Sequence, residues 1–188
     1  TPRWTASSPT LKSPALFMRW CWGGLATTQY AVEQQAQLIC DRPRRFEALQ
    51  ADSSVLRVFI EESLRLRAPT QGLSTRLTSQ DERFGDVDVP RGSVLHLRWA
   101  AANIDPEEFE CPMDLQLDRK AASRHLSFSA GPRVCPGAGI SRLEQQIAWT
   151  RLLERLESMR YGSDNTFLHQ PGIMLGTLQL NLELVKAA

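Results

Sequence analysis

Apolar positions fall into periodic blocks separated by stretches rich in proline, glycine and polar residues. Residues 1–13 are rich in Pro, Ser and Thr and read as an irregular segment. From about Pro14 to Ile39 the pattern predicts one long helix, stopped before Asp41-Arg42-Pro43 because proline forbids simple continuation. A short helix through Phe46 and Leu49 follows. Between Ser53 and Leu66, the positions Val55, Leu56, Phe59, Ile60 and Leu64 mix three- and four-residue spacing, which predicts a stronger helix closed by Pro69. From Leu73 to Val94 the texture turns to short strand-like runs, and Phe84 to Gly92 predicts two short strands joined by turns. Residues 103–127 have no sustained period and predict a long connection, a feature usually functional inside a compact domain. A last long helix is predicted from about Ala138 to Ser158, with Ile140, Leu143, Ile147, Leu152, Leu153 and Leu156 as its buried stripe. The tail from Asp164 to Val185 predicts two or three strands. The expected class is mainly α with small β-sheets (α+β), without internal repeats.

Composition narrows the function. With 188 residues the chain can bury one core. It is 42% hydrophobic and 23% charged with a formal net charge of +1, which gives no reason to expect nucleic acid or an anionic membrane as partner. The best apolar run, Ala15 to Val32, is broken by Arg19, Thr27, Thr28 and Gln29, and the N-terminus lacks the charged-then-apolar order of a signal peptide. A cytoplasmic location is expected. Cys21, Cys40, Cys111 and Cys135 form no Cys-x-x-Cys pair, and the three histidines are widely separated, so neither a zinc site nor a disulfide framework is expected. A lone chemical role is left open for at least one cysteine.

Phe128-Ser-Ala-Gly131-Pro-Arg133-Val-Cys135-Pro-Gly137 is where such a role concentrates. Cys135 lies just ahead of a predicted helix N-terminus, where unpaired N–H groups and the helix dipole favour an anion, and thiolate is the form of cysteine that binds metal. Gly131 and Gly137 allow close backbone approach to a flat ligand. Phe128 offers an aromatic face and Arg133 a cation. A haem has the complementary surface: an iron needing an axial ligand, an apolar macrocycle and two carboxylates. Pro136, lacking an N–H, removes one possible hydrogen bond to the sulfur.

The spacing Phe-x-x-Gly-x-Arg-x-Cys-x-Gly resembles the cysteine loop of the cytochrome P-450 family, and further matches come in the family's order. Glu62-Ser63-Leu64-Arg65 looks like its Glu-x-x-Arg helix. Ala102-Asn103-Ile104-Asp105-Pro106 resembles the segment that opens its meander. Gly23-Gly24-Leu25-Ala26-Thr27-Thr28 is similar to the oxygen groove of its long central helix. The nearest likeness is to bacterial, soluble enzymes of the camphor-hydroxylating type, through Cys111 to Asp114, Arg119 and the closing Gly172 to Gly176. Family members are more than twice this length. The resemblance therefore implies a C-terminal fragment, with residues 14–188 forming the haem-binding part.

The resemblance implies haem b as cofactor, Cys135 as its iron ligand and Arg76, His125 and Arg133 as partners of its propionates. Glu62 and Arg65 are implied to be a structural pair tied to the meander. The family pattern has an Arg or His near Asp114, where this chain has neither, leaving Arg119 or nothing to complete that contact. Gly24 is implied to open a local bulge for dioxygen, and Thr27 to orient it. An acid usually precedes that threonine, but this chain has Ala26, so slow oxygen activation or peroxide leakage is expected. Gly72, Leu73, Ile173 and Met174 are implied to border a pocket for a small apolar, terpene-like substrate. Arg142 is implied to dock an acidic ferredoxin, fed by its reductase. The activity implied is a monooxygenase; a peroxide-using haem-thiolate protein and an inactive remnant stay open as alternatives.

Overall fold

The computed structural model describes residues 14–72, 75–169, 172 and 174–187. Helix α1 (Pro14–Cys40) is followed by α2 (Arg44–Ala51), and Asp52 then caps a 3-10 turn, accepting the Ser54 N–H at 2.8 Å, that leads into α3 (Leu56–Leu66). The helical expectations for these segments match within a few residues. One departure is that the Ser53–Val55 turn is 3-10 rather than α.

Helix α3 is buried on nearly all sides. Its apolar Leu56, Phe59, Ile60 and Leu64 are joined in the interior by Glu61, Glu62, Ser63 and Arg65. Charged groups survive there only if every donor and acceptor finds a partner, so this helix must organise the polar groups around it. The Phe59 ring meets Trp149 edge-on, with centroids 6.1 Å apart. That geometry adds about 0.5–1.5 kcal/mol beyond simple burial.

Two nested ribbons follow. Strands β1 (Thr75–Leu77) and β4 (Val94–His96) pair antiparallel and enclose the hairpin β2 (Glu82–Phe84) and β3 (Val87–Val89). Gly85 at φ +57° makes the tight turn between Phe84 and Val87, as the expected strand pair requires. Short helix α4 (Trp99–Ala102) opens the long connection, which contains only 3-10 turns before α5 (Ala138–Arg155).

The expected end of this last helix and the first half of its buried stripe are corrected, whereas Leu152, Leu153 and Leu156 do pack on the core. Helix α5 stops at Arg155, and Leu156–Tyr161 becomes β5, paired antiparallel with β6 (Leu182–Lys186). Strand pairing across the sequence overrides the helical period there. Ile140, Leu143 and Ile147 are 56%, 55% and 54% exposed, and no described residue covers them. The face of α5 turned to α1 carries buried Gln145 and Trp149 instead. Among the described residues of the tail, where two or three strands are expected, one strand and the isolated bridges Thr70–Met174 and His169–Thr177 are found.

A polar ladder explains this choice of face. Trp149 Nε1 donates to Gln35 Oε1 at 2.6 Å, and Gln35 Nε2 donates to Gln145 Oε1 at 2.6 Å. Gln145 Nε2 donates to Ser141 Oγ at 3.0 Å, and Ser141 Oγ lies 3.4 Å from Thr28 Oγ1. A polar group buried without a partner costs about 1–3 kcal/mol, so this chain of bonds fixes α1 against α5. No described helix is long and apolar enough to cross a membrane.

Candidate functional site

Cys135 sits in the last turn before α5. Its N–H donates to the Phe128 carbonyl at 2.8 Å, and its own carbonyl accepts the Ala138 N–H at 3.2 Å. Gly131 adopts φ +66° and Ser129 φ +62°, so the loop reverses twice within a few residues. Glycine at position 131 adopts this left-handed conformation without the steric cost a side chain would carry. Next to the sulfur, a Cβ added to Gly137 would come within 3.7 Å of Cys135 Sγ, in ordinary contact. Cys135 is exposed and is a free thiol. Cys40 is buried instead, and burial first, and then Asp41, push its thiol up to about 11.

Glu62 and Arg65 form a buried, hydrogen-bonded hub. Arg65 spends all five of its N–H donors. Nε and Nη2 grip Glu62 at 2.7 and 3.0 Å, Nη1 donates to the carbonyls of Asn103 (3.0 Å) and Pro112 (2.6 Å), and Nη2 also reaches that of Asp114 (3.0 Å). Glu62 also accepts the Gln116 N–H at 3.1 Å. Arg119 supplies the third partner that the sequence left open, with Nε 2.9 Å from Glu62 Oε1. Its N–H does not point along a bond to that oxygen, so this is an ion-pair contact and not a hydrogen bond. Burial by itself would raise the Glu62 carboxyl, but hydrogen bonds from Arg65 and Gln116 and the ion-pair contact with Arg119 outweigh it and hold it below the usual carboxylate range.

Glu61, which the sequence did not single out, makes a second cluster. It accepts from His125 Nε2 at 3.0 Å and from Arg142 Nε and Nη2 at 2.6 and 3.0 Å. Ser127 N–H donates to His125 Nδ1 at 3.2 Å, which places the ring proton on Nε2. Both nitrogens of His125 are thus engaged, and the ring is buried, leaving no donor for a propionate. Arg142, expected at a partner-docking surface, turns its guanidinium to Glu61 and over the Phe128 ring, 4.5 Å from the centroid. Two adjacent carboxylates on a largely apolar helix were the signal in the sequence for this cluster.

On α1, Thr27 Oγ1 donates to the Gly23 carbonyl at 2.6 Å. The expected bulge is absent: α1 runs through Gly23 and Gly24 as continuous α-helix. Gly24 has open space where a Cβ would be. The Thr28–Ser141 contact brings this part of α1 to the first turns of α5, beside the Cys135 loop. Arg76 and Arg133 are both exposed, Arg76 bonding the Thr75 carbonyl at 2.9 Å. Among the expected pocket residues, Leu73 and Ile173 lie outside the described residues. Gly72 packs where a Cβ would meet Leu97 O at 2.6 Å, and Met174 bridges to Thr70 on the same segment. A separate groove of about 420 Å³, lined by Val32, Ala36, Leu152, Met159, Leu180 and Leu182, shares none of these residues.

An exposed sulfur at a helix start, a glycine beside it, the half-buried Phe128 ring and exposed guanidinium groups are a donor set that fits haem. Comparison with known proteins agrees. The Cytochrome P450 family model matches residues 32–184. Cytochrome P450 107B1 of Saccharopolyspora erythraea is 37% identical over 137 residues, covering 73% of this chain and 34% of that protein. The biotin biosynthesis cytochrome P450 of Bacillus subtilis is 32% identical over 136 residues, covering 72% and 34%. The substrate-free structure of CYP150A6 from Mycobacterium marinum matches with a TM-score of 0.85 at 28% identity, over 90% of this chain and 43% of that one. CYP109E1 of Bacillus megaterium in complex with corticosterone matches at 0.84 and 25% identity, over 92% and 46%. The chain thus spans about a third of the length of these curated relatives. The order of motifs, the loop geometry and these matches lead to one assignment: the chain belongs to the cytochrome P450 family, which binds haem b through a cysteine ligand.

Proposed function

We propose that this chain supplies the haem-ligating, C-terminal part of a haem-thiolate monooxygenase, with Cys135 as the residue that would bind the iron. The observation that carries this reading is the exposed Cys135 sulfur, held at the start of α5 by the Phe128 bond and facing no disulfide partner. When bound, haem supplies the iron at which dioxygen is reduced and one oxygen atom is inserted into substrate. Cys135 would hold the iron through its sulfur and supply electron density to it. Phe128, Gly131 and Gly137 would let the macrocycle approach, and Arg76 and Arg133 would meet the propionates. On α1, Gly24 would leave room for dioxygen, and Thr27 would hold or pass a proton through its hydroxyl, now bonded to Gly23 O.

The proposed substrate is small and apolar, terpene-like, bordered by Gly72, Leu73, Ile173 and Met174. The proposed electron source is a ferredoxin with its reductase, in the cytoplasm. Reduced, carbon-monoxide-treated protein should show the red-shifted Soret band of a thiolate ligand, and Cys135→Ser should lose it. A band that survives in Cys135→Ser, or none in the parent protein, overturns the assignment. Ala26, in place of an acid beside Thr27, favours a second reading in which peroxide replaces the redox partner. Turnover that needs nicotinamide rejects that reading, and turnover driven by peroxide alone supports it.

A further inference from the structure

Glu61 adjoins Glu62 on α3 yet takes no part in the Arg65 hub. It is buried, and its two partners stand on opposite sides of Cys135 in the chain: His125 before the loop and Arg142 in the second turn of α5. One carboxylate therefore grips both legs of the loop. The grip reaches the ligand itself, because Arg142 lies 4.5 Å over the Phe128 ring and the Phe128 carbonyl accepts the Cys135 N–H at 2.8 Å. The His125 and Phe128 rings are themselves 6.0 Å apart, so Phe128 is braced from both partners of Glu61. A merely stabilising ion pair would not need to close around the loop in this way.

We propose that Glu61 is a positioning residue for the axial sulfur, acting through Arg142 and Phe128 to hold Cys135 in the orientation that keeps it on the iron. This rests on Cys135 being the ligand. Groups that orient a metal's ligands typically change metal affinity or activity about 10–100-fold when they are removed. The test uses the haem-loaded protein and follows conversion of the ferrous carbon-monoxide form from the red-shifted thiolate band to the unshifted band of a lost thiolate. Glu61→Gln keeps the shape and should speed that conversion about tenfold. Arg142→Lys, which cannot fork or stack alike, should do the same, and the double variant should be little worse than either single one. Leu49→Ala, a core change on α2 away from the loop, should lower thermal stability without moving the conversion rate. If Glu61→Gln converts at the parent rate, or no faster than Leu49→Ala, the proposal is overturned. Should Glu61→Gln fail to fold, Arg142→Lys decides by the same criterion. If the parent protein shows no thiolate band, the ligation itself fails and this proposal with it, a result distinct from a parent band with unchanged variants.

Discussion

Replacing Arg65 by lysine tests whether the hub on α3 organises the fold behind the ligand loop. The charge is kept, but five N–H donors become three. Each of the five now serves an acceptor on Glu62, Asn103, Pro112 or Asp114, around a guanidinium that is fully buried. At least two of those bonds must be lost. Leaving a buried acceptor unpaired costs about 1–3 kcal/mol, so the loss should total about 2–6 kcal/mol. A domain's whole stability is on the order of 5–15 kcal/mol. Urea unfolding followed by far-ultraviolet circular dichroism should therefore show a much lower midpoint with an unchanged slope. Arg76→Lys, on exposed β1, should stay within about 0.5 kcal/mol of the parent and serves as control. An Arg65→Lys protein equally close to the parent would refute the view that this guanidinium ties α3 to the meander.

Acid should undo the same region. The Glu61 carboxyl is brought down from 4.5 to about 2, burial being outweighed by His125 and Arg142, and Glu62 is lowered as well. Because the folded values lie below the unfolded ones, the stabilisation is complete above about pH 4.5 and is lost as pH falls toward 2; unfolding free energy measured across that window should decline in the parent and less in Glu61→Gln. Ala26→Asp should raise the fraction of reducing equivalents recovered as product, measured as product against peroxide; no change would count against Ala26 as the weak point in proton delivery. Gly72→Ala drives a Cβ to 2.6 Å from Leu97 O, a backbone atom, and should cost about 1–3 kcal/mol in thermal or urea unfolding.

What could be read from the chain was what depends on neighbours in sequence. The helices around Leu56–Leu66 and before Asp41 follow from period and proline, and the Cys135 loop from residues only a few positions apart. The misreadings lie where a distant partner decides. Leu156–Tyr161 became a strand because Leu182–Lys186 pairs with it. Ile140, Leu143 and Ile147 looked like a core stripe, yet Gln145 and Trp149 are the buried residues, since Gln35 on α1 supplies their bonds. His125 reads as an anion binder from sequence, which it is, but its anion is Glu61, far away in the chain. Arg142 meets the same distant carboxylate while its side chain stays 35% exposed.

The rungs from Thr28 through Ser141, Gln145 and Gln35 to Trp149 limit how this molecule can breathe. Sliding α1 along α5 by a single turn would strand amides and an indole N–H in a dry interior, so the two helices travel as one piece. The described ties that return Leu175 onto Pro69 are lighter: a backbone bond at 2.7 Å, the Thr70–Met174 contact and a Gln34 amide 3.4 Å from the Leu175 carbonyl. Loosening that clasp would widen the neighbourhood of Gly72 and Met174 without disturbing the spacing between the threonine helix and the cysteine.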